Sequence, residues 1–177
     1  MPRKAPARGS TVTTDHLGVG VWASLLPPLP ESQKGREMIP IERLRNVEIF
    51  RGLKDEELAI VARFCQEESV PQGITLVQEG ARADKLFILE EGVISIRFEK
   101  GTNYTVQGPG KILGWSFLVP PNRYTASVIT ITPSRLLVIK GPDFYDLVHK
   151  ETRMGLKIMD NLAQVVASRL KVIVDYH

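Results

Sequence analysis

Between residues 69 and 140 the chain switches from helical to strand-like periodicity, and this stretch constrains the fold more than any other feature. The runs ITLVQEG, KLFILEEG, VISIRFE, NYTVQ, KILGWSF, YTASVITIT and RLLVIK are short and rich in β-branched and aromatic residues. Gly73, Gly80, Gly92, Gly101, Gly108, Gly110 and Gly114 punctuate them. Short strands with regular turn signals predict an all-β barrel, roll or jelly roll. In VISIRFE, Ile94, Ile96 and Phe98 share one face while Val93, Ser95, Arg97 and Glu99 share the other, the pattern of a half-exposed strand. KLFILEE is apolar through its centre and reads as buried on both faces.

Helical patterns flank this block. Residues 39–68 read as helical: Pro40 suits a first turn, and Ile41, Leu44 and Val47 sit near helical spacing. Asp55, Glu56 and Glu57 favour a helix start, and Leu58, Val61, Phe64 and Cys65 mark its buried face. Cys65 is read there as a small buried hydrophobe. Pro142 and Asp143 open a short helix with Phe144, Leu147 and Val148 on its apolar side. A longer helix follows from about Thr152. Gly155, Met159, Leu162, Val166, Leu170 and Ile173 form its stripe, widened by Ile158, Val165 and Val172. That width predicts both packing on the roll and a homodimer seam through residues 155–173. Residues 1–38, broken by Pro2, Pro6, Gly9 and the Pro27–Pro30 cluster, read as a flexible or loosely docked tail, with Trp22, Leu25 and Leu26 available for docking. The expected architecture is one mainly β domain over 39–177. It is a double-stranded β-helix or jelly-roll-like β-roll flanked by N-terminal helices and a long C-terminal helix.

Composition narrows the function. A single cysteine excludes an internal disulfide framework and any cysteine-built metal centre. The histidines, His16, His149 and His177, have no metal-ligand spacing, and no cofactor is expected. Of 23 basic and 20 acidic residues, the first 38 hold five and three, which leaves 18 and 17 for the body. That near-neutral body lacks the basic run of a phosphate-backbone binder. No apolar run reaches the ~18 residues of a membrane span. Without a clear signal peptide, the reading is a cytoplasmic protein. No Ser-His-Asp arrangement, metal triad or P-loop is present, so an enzyme is not expected.

Four segments then occur in order: IFRGLKDEEL, GITLVQEGARADKLFILEEGVISI, GPGKILGWSFLVPPNRYTASV and RLLVIKGPDFYDLV. Together, over roughly 41–175, the chain resembles the cyclic-nucleotide-binding domain family, which includes the catabolite activator protein and the regulatory subunits of cyclic-AMP-dependent kinase. The resemblance implies a phosphate-binding cassette at Gly114-Trp115-Ser116-Phe117-Leu118-Val119 and Pro120-Pro121-Asn122-Arg123-Tyr124-Thr125-Ala126. In that family a glycine admits the ligand to the backbone, and a short helix offers N–H groups to the cyclic phosphate. A carboxylate takes the ribose hydroxyl, and an arginine neutralises the phosphate.

Two positions depart from the pattern. Trp115 stands where the ribose-binding glutamate belongs, and Tyr124 stands where the phosphate-binding arginine belongs, with Arg123 one residue earlier. If the strand begins by 123, Arg123 and Thr125 share a face, and Arg123 can reach a phosphate from the loop edge. If the chain is still turning there, no face can be assigned. The expected ligand residues are Gly114, Trp115, Ser116, Phe117, Arg123, Tyr124, Thr125 and Ala126, with Arg123 as counter-ion. Trp115 and Tyr124 either stack on a base or fill the cavity. The resemblance implies a regulatory domain that binds a cyclic nucleotide such as cAMP or cGMP and signals through its C-terminal helix to an unknown protein partner. The alternative is a degenerate dimerisation or docking module that binds no nucleotide. Many relatives carry a helix-turn-helix after the long helix. Here the sequence ends at His177, so direct DNA binding is not expected.

Overall fold

Strands form in the computed structural model where the β-branched runs meet their glycine turns; residues 35–175 are described. The predicted tail therefore lies outside the described residues up to position 34. The described residues form eight strands: β1 (Gln66–Val70), β2 (Thr75–Val77), β3 (Lys85–Glu91), β4 (Val93–Arg97), β5 (Asn103–Gln107), β6 (Lys111–Leu113), β7 (Ser127–Thr130) and β8 (Ser134–Lys140). They make two antiparallel four-stranded sheets, β1-β8-β3-β6 and β2-β7-β4-β5, packed as a roll. Among the described residues three α-helices accompany them: α1 (Asp55–Ala62), α2 (Gly141–Lys150) and α3 (Thr152–Asp175). Among the described residues no helix is long and apolar enough to cross a membrane.

β3 shows why its run is apolar throughout. Leu86 and Ile88 pack with the helices, while Phe87 and Leu89 enter the roll. One strand thus serves two cores, as its unbroken apolar centre predicts. In β4, Ser95 is buried rather than exposed, because β4 lies inside its sheet between β7 and β5. Its hydroxyl accepts a hydrogen bond from Arg97 Nε at 3.3 Å.

The helical reading of 39–68 needs correction. Only a 3-10 turn at Ile41–Arg43 and α1 are helical, and Gln66–Val70 is a strand. α1 opens with the Lys54 amide donating to the Glu57 carboxylate at 2.7 Å. Beyond Ala62, pairing of β1 with β8, from Gln66 opposite Val138 to Val70 opposite Ser134, overrides local helical preference. Arg43 fastens the N-terminal segment to this sheet through Glu67 and through Glu90, whose Oε1 accepts from Nε at 2.8 Å.

α2 and α3 form a tight pair. A Cβ built on Gly155 would lie 1.9 Å from the Val148 carbonyl oxygen, so only glycine permits the contact. Gly155 therefore belongs to an intrachain contact, which removes it from the predicted dimer seam. The buried face of α3 runs through Met154, Ile158, Leu162 and Val165. The Asn161 amide also donates to the carbonyls of Ile49 and Arg51 at 3.0 and 2.9 Å, which registers α3 against the N-terminal segment.

A candidate ligand cavity between the cassette and the long helix

Gly114 starts the site. It adopts a φ of 87°, and a Cβ there would approach the Lys85 carbonyl oxygen to 2.7 Å. Glycine alone lets the chain turn so close to β3. The turn launches a 3-10 helix, Trp115–Leu118, and the chain returns through Asn122 to β7. The Asn122 side-chain amide donates to the Phe117 carbonyl at 2.6 Å and ties this loop together.

A cavity of about 230 Å³ opens between this loop and α3. The cassette supplies Gly114, Trp115, Ser116, Tyr124, Thr125 and Ala126, and α3 supplies Val166, Arg169 and Leu170. Ile96, Phe98, Tyr104, Leu113 and Val128 complete much of the apolar wall. Six of the eight residues singled out in the sequence thus converge on one space.

Phe117 and Arg123 do not. Phe117 packs edge-on against Phe144, with ring centroids 5.7 Å apart. Arg123 is exposed, and its Nη1 donates to the Gly80 carbonyl at 2.7 Å. Both line a separate, more open cleft of about 450 Å³ together with Arg82, Asp84 and Tyr145. The cause is local: β7 begins only at Ser127, and Arg123 makes an isolated bridge with Arg82. The chain is already bridged at 123, so side-chain alternation sends Arg123 outward and its neighbour Tyr124 into the roll.

Tyr124 takes the inward position. Its phenolic oxygen accepts from the Lys85 and Asp84 amides at 3.1 and 3.3 Å. Burial raises the phenol above its ordinary pKa of 10.0, so it stays neutral. The hydroxyl thus fastens the loop to the start of β3.

Sequence reasoning missed Arg169. It follows Met154, Ile158, Leu162 and Val165 along one face of α3, and a cation continuing an apolar stripe was the available signal. Its Cζ lies 6.0 Å from the Trp115 ring centroid, at the outer limit of a cation–π contact. Its Nη2 donates to Glu48 Oε1 at 3.0 Å. Glu48 also faces Lys111 Nζ at 3.5 Å and accepts the Ile112 amide at 2.9 Å. Arg169 Nη1 is buried and has no hydrogen-bond partner among the described residues. Leaving a buried donor unmatched costs about 1–3 kcal/mol.

This cassette on a two-sheet roll has counterparts. A profile of the cyclic nucleotide-binding domain matches residues 67–151. A solved protein from Geobacter metallireducens, assigned as cyclic nucleotide-binding, is 34% identical with a TM-score of 0.67; the alignment covers 75% of this chain and 99% of that one. The chain belongs to the cyclic-nucleotide-binding domain family. Within that family, the catabolite activator protein of Thermus thermophilus aligns at 25% identity and a TM-score of 0.59, over 71% of this chain and 59% of that one. Glutaminase 2 of Bradyrhizobium diazoefficiens is 30% identical over 69% of this chain. The chain spans about a fifth of the length of the two glutaminases it matches and 57% of the Thermus cyclic AMP receptor protein.

Proposed function

We propose that this domain binds a small molecule in the 230 Å³ cavity and reports its occupancy through α3. The observation that carries this reading is the shared wall: the cassette closes one side and α3 the other. A ligand seated there contacts both and favours one helix position over another. No catalysis is required, and a cytoplasmic site of action belongs to the same reading. Leu156, Met159, Leu170 and Val174 leave apolar surface exposed along α3, and we assign that surface to pairing with a second copy.

The family's usual ligand is a poor match for this lining. Among the described residues no carboxylate lines the cavity to receive a ribose hydroxyl, and Arg123 opens onto the other cleft. The volume also falls below the ~300–1,000 Å³ of most small-molecule sites. A second reading, a docking module with a plugged cavity, draws support from Trp115 and Tyr124, two aromatic side chains that line the space.

The test uses Trp22→Phe protein, in which Trp115 is the remaining tryptophan of two. It is titrated with cyclic nucleotides, free nucleotides and small carboxylates while fluorescence and hydrogen exchange over 152–175 are followed. Saturable fluorescence change with altered exchange in α3 supports the sensor. Flat titrations across all three classes, with α3 already protected, favour the docking module.

A further inference from the structure

We propose that Arg169 is the anion-recognising residue of this cavity, and that the ligand is a small, largely apolar monocarboxylate whose carboxylate pairs with the guanidinium. This rests on the reading that the cavity is a ligand site.

Three observations point the same way. Arg169 is the one charged residue among the described residues that line the cavity. Its Nη1 is buried and unmatched, while Nη2 is held by Glu48 at 3.0 Å. The surrounding charges do not cancel it. Glu48 is a single carboxylate shared between Arg169 and Lys111 and further satisfied by the Ile112 amide, so the cluster retains a positive charge beside an apolar space. A carboxylate is planar and accepts the guanidinium's N–H groups in good geometry.

The walls set the rest of the ligand. Ile96, Phe98, Leu113, Trp115 and Val128 offer aliphatic and aromatic contact, so the body of the ligand is apolar. The volume favours something smaller than a nucleotide. Because the counter-ion sits on α3 rather than on the cassette, the ligand's charge bonds directly to the helix that reports it. Loss of that charge then removes affinity and helix response together.

The test titrates the 177-residue Trp22→Phe protein with phenylacetate, hexanoate, their neutral amides and cAMP, and reads Trp115 fluorescence. The acids should bind roughly ten- to a hundredfold more tightly than the amides, as expected for one charge-assisted hydrogen bond. Arg169→Gln should bring the acids down to the amides and leave the amides unchanged. Arg169→Lys should recover part of the loss. Glu48→Gln, which removes the competing carboxylate, should keep acid binding at or above the wild-type level; it guards against misreading a folding defect of Arg169→Gln. Equal binding of acid and amide overturns the proposal while leaving the ligand site standing. So does cAMP binding that depends on Arg123 and ignores Arg169→Gln. If no compound binds wild-type protein, the ligand site itself falls, and this proposal with it.

Discussion

The Lys85 amide donates to the phenolic oxygen of Tyr124 at 3.1 Å, which places a neutral hydroxyl where the family pattern expects a cation. The same oxygen receives the Asp84 amide at 3.3 Å. Tyr124→Phe leaves both amides without that acceptor in a partly buried place. Urea unfolding should show a loss of about 1–3 kcal/mol with an unchanged m value. A loss below about 0.5 kcal/mol, the level of an ordinary surface change, would mean that the phenol does not hold the loop.

Gly155 and Leu170 probe two contacts of α3, its packing on α2 and the proposed pairing with a second copy. Gly155→Ala drives a methyl to 1.9 Å from the Val148 carbonyl oxygen and forces α2 and α3 apart. It should lower stability by about 1–3 kcal/mol or more, as overpacking does. Leu170 is 57% exposed, so Leu170→Asp should leave the monomer's stability within about 0.5 kcal/mol. Light scattering should find wild type as a dimer and Leu170→Asp as a monomer. A wild-type monomer at all concentrations would remove the proposed seam.

Cys65 is buried, and desolvation pushes its thiol from an ordinary 9.0 up to about 12. Native protein should therefore resist maleimide at pH 7 and label only as fast as it opens. The alkaline limb has a definite sign. Between 9.0 and about 12 the unfolded thiol loses its proton while the folded one keeps it. The stability that the neutral thiol confers is complete below 9.0 and declines as pH rises through that window. Tyr124 shifts the same way from 10.0, again because it is buried. Cys65→Ala should flatten part of this decline. Prompt labelling of folded protein at pH 7 would contradict the buried thiol.

How legible each part was follows from how local its cause is. The apolar centre of β3, the glycine turns and the cassette segment were readable, because a strand's two faces and a left-handed turn are decided by residues a few positions apart. The same holds for α2, whose Pro142 start and Phe144, Leu147, Val148 face recur in the fold. β1 was misread because QEESV has no strand pattern of its own; it is a strand through its partner β8.

The sequence alone therefore determined the β-roll, the long final helix, the family and the glycine on which the cassette turns. Only the tertiary structure decided which guanidinium meets the cavity. Arg123 lies beside the expected position and faces away because the chain there is bridged to Arg82 with Tyr124 on the inward side, while Arg169 arrives from a helix more than forty residues later. Which face of a bridged segment points inward, and contact between distant segments, depend on how the whole chain packs. Neighbouring residues do not encode either one.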